Sequence, residues 1–175
     1  MLAKLLGLAW LVALPLQEPD NNLAPYVPTP EPIVMRMLEL GGLHAGEKMY
    51  DLGSGDGRIV FMAADRFHAD STGVELDHKL AQESQARLVK KHLQKIARIV
   101  EGDILRQNFS SADLITVYLF PASNDKIQPM LERQLKKGTR IVAHDFEFRG
   151  WTPVKTEVVE DDGEGRSHTL FLYKR

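Results

Sequence analysis

Apolar residues recur along this chain in two alternating rhythms, short continuous runs and longer stretches with apolar positions at three- and four-residue intervals. The first rhythm reads as strands buried on both faces, the second as helices with one face on a core. Thr29 followed by Pro30 makes a helix start, a cap and then a first-turn proline. Ile33, Val34, Met37 and Leu38 then share one face, and Gly41-Gly42 stops the helix. Residues 47–52 form the first strand, and residues 57–67 form a helix apolar nearly all round and therefore expected to be buried. A second strand spans 71–75. Asp77 caps the next helix, which runs to about Leu93 with Leu80, Ala81, Leu88 and Leu93 inward. Strands follow at 97–100, 113–120 and 139–144. Between the last two lies a helix carrying Ile127, Met130, Leu131 and Leu135, with Pro129 predicting a late start or a kink. Residues 154–160 and 168–173 are strand-like with only a short glycine-bearing connection between them, which implies an antiparallel hairpin. The chain is thus expected to be a three-layer α/β domain, mostly parallel, with right-handed crossovers and a C-terminal antiparallel hairpin.

The N-terminal residues depart from both rhythms. Residues 1–16 carry an early Lys4 and an apolar run ending at Pro15. That run is shorter than the ~20 residues of a membrane span, yet has the length of a secretory signal. No clear small-x-small cleavage site follows, so an uncleaved anchor is a second expectation close behind it, and an apolar helix folded onto the domain a third. The first two place the protein at a membrane or outside the cytoplasm, the third inside it. Residues 17–24 are a polar linker, which sets the boundary between a segment 1–24 and a domain 25–175.

Composition narrows the chemistry. The 22 basic and 24 acidic residues leave a net charge of −2, so nothing favours a nucleic-acid partner. The absence of cysteine excludes disulfides, thiolate metal sites and a cysteine nucleophile. The 6 histidines include no pair at metal-ligand spacing, so no metal is expected. Nothing in the sequence speaks against a monomer.

The most distinctive stretch is Tyr50-Asp51-Leu52-Gly53-Ser54-Gly55-Asp56-Gly57, set between a strand and a helix. Its glycines let the backbone turn sharply and approach a ligand, at the electropositive start of a helix. Position 58 is Arg, which breaks the Gly-x-Gly-x-x-Gly dinucleotide pattern, and no triphosphate-binding Gly-Lys-Ser/Thr run exists. Asp51 and Asp56 flanking the turn suit a ligand without phosphate and with positive charge. S-adenosylmethionine (SAM) is such a ligand: a carboxylate can face its ammonium while loop N–H groups meet its carboxylate. Glu75, 24 residues after Asp51 at the second strand's end, can accept both ribose hydroxyls. Asp103, at the third strand's end, either accepts from the adenine amino group or shapes a turn.

Asp51-Leu-Gly-Ser-Gly-Asp-Gly57, Gly73-Val-Glu-Leu-Asp77 and Gly102-Asp103 resemble the successive motifs of class I methyltransferases. More narrowly, Pro25-Tyr-Val-Pro-Thr-Pro30, Tyr118-Leu-Phe-Pro121, Gly138-Thr-Arg-Ile-Val142, His144-Asp-Phe146 and Gly150-Trp151 resemble the archaeal broad-specificity and ATP-synthase c-subunit protein lysine methyltransferases. The resemblance covers about residues 25–175. It implies a Rossmann-like seven-stranded sheet, SAM as cofactor held by Asp51, Gly53, Ser54, Gly55, Gly57, Glu75 and Asp103, and a protein substrate presenting lysine. Tyr26 and Thr29 are expected to close over the cofactor or simply to lead into the first helix. Methyl transfer to lysine needs positioning and loss of the ammonium proton. Tyr118 is the candidate for contacting the amine, and Asp145, ahead of His144 and Glu147, for taking the proton. His144 has packing in the core as its bland alternative. The acidic residues Glu157, Glu160, Asp161, Asp162 and Glu164 read as a solvated hairpin tip. A small-molecule or RNA methyltransferase is the alternative, with a non-catalytic, membrane-associated SAM-binding module as a third reading. The lack of an Asn-Pro-Pro-Tyr run argues against amide and adenine enzymes.

Overall fold

Seven strands and four helices alternate as the hydrophobic rhythm requires, in a computed structural model that describes residues 26–175. The apolar segment 1–16 and the linker 17–24 lie outside the described residues. The strands are β1 (Lys48–Leu52), β2 (Asp70–Glu75), β3 (Ala97–Glu101), β4 (Leu114–Val117), β5 (Arg140–His144), β6 (Lys155–Val159) and β7 (His168–Lys174). They form one sheet in the order β3-β2-β1-β4-β5-β7-β6. The first five are parallel, and β7 runs antiparallel to both β5 and β6. The order reverses between β1 and β4. At such a switch point two neighbouring crossovers leave in opposite directions and open a crevice beyond the strands' carboxyl ends.

Helices α1 (Glu31–Leu40), α2 (Arg58–Phe67), α3 (His78–Lys90) and α4 (Pro121–Gln134) fill in the layers. The core has two main parts. One joins α1 and α2 to the sheet through Ile33, Val34, Met37, Leu38 and Ile59, and the other lies around Phe109, Ile115, Ile127, Leu131 and Phe148. β4 is buried at every position, as its unbroken apolar run predicts.

Several details differ from expectation. Pro30, not Thr29, caps α1, and Pro32 takes the first-turn place. That releases the Thr29 hydroxyl for a long-range contact described below. α2 is not apolar all round: Ile59, Val60, Ala63 and Ala64 are buried, while Asp65 and Arg66 are exposed. α4 starts at Pro121 and runs through Pro129 as one helix, in which the Asp125 carbonyl lacks its helical N–H donor. The acidic hairpin is not wholly solvated either. Asp162 is buried, and Glu157 is paired with Arg36 of α1 and with Lys155.

Candidate active site

The turn after β1 is built on three left-handed glycines, Gly53 (φ 77°), Gly55 (φ 53°) and Gly57 (φ 79°). Its amides are turned inward. Those of Gly53 and Ser54 both donate to the Val74 carbonyl at 3.0 Å, and that of Gly57 donates to the Ser54 carbonyl at 2.8 Å. The Gly55 amide donates to Glu75 Oε2 at 2.6 Å. These four N–H groups are therefore engaged within the protein, contrary to the expectation that loop amides hold the ligand's carboxylate. Gly57 does not reach the crevice wall: a Cβ there would lie 3.1 Å from Ser84 Cβ and 3.3 Å from Phe61, so it packs the turn against α3. Gly73 plays the matching part on β2, where an added Cβ would collide with the Ser54 side chain at 2.5 Å.

Beside this turn lies a cavity of about 460 Å³ at the switch point, and it gathers the other cofactor residues singled out in the sequence, with Tyr118 but not His144 or Asp145. Tyr26, Thr29, Asp51, Gly53, Ser54, Gly55, Glu75, Asp103 and Tyr118 line it, joined by Asp56, Arg58 and Asp77. Asp51 is buried and accepts a hydrogen bond from Thr116 Oγ1 at 2.8 Å. Burial pushes its carboxyl up to about 7, with the neighbouring charges of Glu75 and Asp56 adding to the Thr116-opposed shift. Asp56 is otherwise occupied: Arg58 grips both of its oxygens at 2.9–3.0 Å. Burial opposes ionisation of Asp56, but Arg58 and Arg87 outweigh it and hold the carboxyl below its ordinary value. Arg58 also donates to the Thr29 carbonyl at 2.8 Å, which ties the proline-rich lead-in to the turn. Tyr26 lies across Gly55, where a Cβ would meet its ring at 2.7 Å.

Glu75 accepts from the Gly55 and Asp77 amides, one per oxygen, so each oxygen keeps a further acceptor site. Capping of α3 falls to Asp77, which accepts from Leu80 N at 2.8 Å. Asp103 realises its turn-forming alternative, with Oδ1 accepting from Leu105 N at 2.8 Å, while remaining on the cavity wall. Ser54 Oγ is buried without a hydrogen-bond partner among the described residues. A wall with Asp51, Glu75, Asp77 and Asp103, and with its arginine already paired, repels phosphate. It fits a cationic nucleoside that brings its own hydroxyls, amino group and ammonium.

Tyr118 connects this cavity to a second cluster past β5. Its hydroxyl donates to Asp145 Oδ2 at 3.4 Å, and its ring lies 3.9 Å from that of His144. Burial, then the Asp145 charge, raises the Tyr118 hydroxyl above its ordinary value, so it is a neutral donor. Asp145 adopts a left-handed conformation (φ 57°), uncommon for a residue with a side chain, and is held by Thr169 N on Oδ1 at 2.9 Å. His144 is fully buried, with Nδ1 3.3 Å from Thr29 Oγ1 and Nε2 2.9 Å from His168 Nδ1. Burial lowers it to about 4, which keeps it neutral at pH 7. His168 and Asp162 were not singled out in the sequence as site residues. They are 24 and 18 residues from His144 on an antiparallel return, so no local spacing marks them. The fold thereby brings together His144, Asp145 and His168, whose ligand-type atoms lie within 4.8 Å of one another, a grouping that histidine spacing did not anticipate.

A mostly parallel seven-stranded sheet with an acidic, phosphate-repelling cavity at its switch point defines a class I SAM-dependent methyltransferase. Residues 51–155 match the ANTKMT methyltransferase domain. A protein-lysine N-methyltransferase of Saccharolobus islandicus is 41% identical over 85% of this chain and 92% of its own length. The ATP-synthase c-subunit lysine N-methyltransferase of Rattus norvegicus is 30% identical over 70% of this chain, which spans 55% of that protein. Among solved structures, an RNA methyltransferase from Salinibacter ruber in complex with S-adenosyl-L-homocysteine is 36% identical, covers 85% of this chain and 93% of its own, and superposes with a TM-score of 0.78. The chain belongs to the ANTKMT methyltransferase-domain family.

Proposed function

We propose that this enzyme methylates lysine ε-amines of protein substrates. The observation that carries the reading is the position of Tyr118: it lines the cofactor cavity and also reaches Asp145, so an amine delivered there meets both a hydroxyl and a carboxylate. The similarity to the archaeal lysine enzyme over 92% of that protein's length supports it. Bound SAM supplies a methyl group on a sulfonium, a good leaving group. Asp51 would face the cofactor's ammonium, Glu75 its ribose hydroxyls and Asp103 its adenine amino group. The unpartnered Ser54 hydroxyl would gain a partner, and Tyr26 and Thr29 would cover the site and exclude water. Tyr118 and Asp145 orient the lysine amine and remove its proton. His144, neutral and enclosed, holds Tyr118 in place by stacking.

Incubation of the purified protein with radiolabelled SAM and cell lysate tests this. Label in protein bands, recovered as methyl-lysine after acid hydrolysis, is the expected result. Label confined to RNA would instead favour the activity named for the Salinibacter ruber structure, and label confined to small molecules would exclude both.

A further inference from the structure

We propose that His168, backed by Asp162, is a buried proton store behind Asp145 that takes up the proton a lysine ammonium must lose before attack. This rests on the lysine reading above. His168, at the start of β7, sits between two carboxylates: Nε2 is 3.2 Å from Asp162 Oδ2 and Nδ1 is 3.1 Å from Asp145 Oδ2. Asp162 is held as an anion by the Glu164 amide at 2.8 Å, the Arg166 amide at 3.1 Å and Arg166 Nε at 3.1 Å. Burial opposes that ionisation, but these donors and His168 together keep the carboxyl well below the usual range.

Counting hydrogens shows where a proton is wanted. A firmly ionised Asp162 is an acceptor, so His168 Nε2 carries hydrogen toward it. Neutral His168 then turns the lone pair of Nδ1 toward Asp145 Oδ2, and an acceptor faces an acceptor at 3.1 Å. One added proton converts that repulsion into a charge-assisted hydrogen bond. His144 can follow the change. With its hydrogen on Nε2 it donates to His168 Nδ1. With its hydrogen on Nδ1 it donates to Thr29 Oγ1 and accepts from a protonated His168. The Thr29 hydroxyl serves as either donor or acceptor. Arg166, Tyr118 and Thr169 also contact the two carboxylates, and His144 Nε2 lies 3.4 Å from Asp145 Oδ2.

The step balances. An N–H bond of the lysine ammonium breaks and its electron pair stays on nitrogen as the nucleophile. The proton passes to Asp145 Oδ2, directly or by exchange through the Tyr118 hydroxyl, and is shared with His168 Nδ1. It leaves to solvent through Asp145, which is partly exposed. Asp145 meets the amine, whereas His168 and Asp162 act through it as positioning residues.

Two measurements on the full chain test this. In the first, the imidazole nitrogens are followed by NMR against pH. Nε2 of His168 should keep its hydrogen throughout, the added proton should appear on Nδ1, and Asp162→Asn should abolish that preference. In the second, kcat is profiled against pH with a lysine-bearing protein substrate. His168→Asn should reduce kcat at pH 7 by ~100-fold, with the deficit shrinking toward pH 10, where free lysine loses its own proton, and with KM for SAM unchanged. A deficit constant across pH, or a wild-type pH profile in the variant, overturns the proposal. So does tight binding of Zn²⁺ or Mn²⁺ by the two imidazoles. If His168→Asn fails to fold, the wild-type NMR titration decides. If the wild type methylates no lysine, the functional reading fails while the NMR arm still reports on the proton store.

Discussion

Asp51 shows how one buried carboxylate links stability to ligand choice. Its folded value is raised to about 7 from an ordinary 3.8 because burial disfavours the anion. The stability carried by the neutral form is complete below 3.8 and is lost as pH rises through about 7. In the cofactor-free protein Asp51→Asn should therefore raise Tm more at pH 8 than at pH 5, as differential scanning calorimetry would show. SAM, a cation, selects the ionised form. Its affinity should rise with pH up to about 7, and binding at pH 6 should release a proton, detectable by calorimetry in buffers of differing ionisation heat. An affinity independent of pH would remove Asp51 from the ammonium site. Glu75→Gln should weaken SAM binding about 10-fold or more, the scale of a hydrogen bond to a charged group. Equal affinity would end the ribose assignment. The sequence identified Glu75 by its place at a strand end, but not that its two oxygens also brace the Gly55 and Asp77 amides. The Asp77 contact is local, whereas the Gly55 contact follows only from the juxtaposition of β1 and β2.

At the level of elements, the glycine turn is a packed joint more than an anion cradle. Gly53, Gly55 and Gly57 direct their amides into the protein, and Gly57 and Gly73 let the turn approach α3 and β2. Gly73 has an ordinary strand φ, so substitution there tests close packing alone. Gly73→Ala should destabilise the protein by about 1–3 kcal/mol in urea denaturation, because its Cβ falls within 2.6 Å of Ser54 Oγ and Cβ and 2.9 Å from Ile99. It should also weaken SAM binding by displacing Ser54. Unchanged stability would mean that Ser54 rotates away freely. The strand rhythm predicted all seven strands, because each carries its own apolar run. It did not predict Thr29's contact with His144, since a cap and a tertiary partner use the same hydroxyl.

For the whole molecule, β5 and β7 matter most beyond the cofactor cavity. Their antiparallel pairing sets His144 against Leu170 in register and brings His168, Asp162 and the end of β5 together. The proton store therefore depends on the C-terminal hairpin, whereas the cofactor cavity depends on the parallel half of the sheet. No helix among the described residues is long and apolar enough to cross a membrane. We infer that residues 1–16 nonetheless direct the domain to a membrane. On fractionation of the native host, the full chain should sediment with membranes and a variant starting at residue 25 should stay in the supernatant. Equal partition of the two would refute that role.

Strand and helix order, the glycine turn and the three acidic residues at strand ends were settled by the sequence alone. Each is a local property: hydrophobic period, backbone freedom, and a side chain's offset from the end of an apolar run. The tertiary structure decided which donors and acceptors are left for a ligand. It turned the loop amides inward, buried Asp51 against Thr116, paired Asp56 with Arg58 and buried Asp162 within a tip that reads as solvated. It also assembled Tyr118, His144, Asp145 and His168 from three strand ends. The reason is physical: whether a polar group is free depends on partners that a sheet brings close from distant parts of the chain. Period and composition carry no record of those partners.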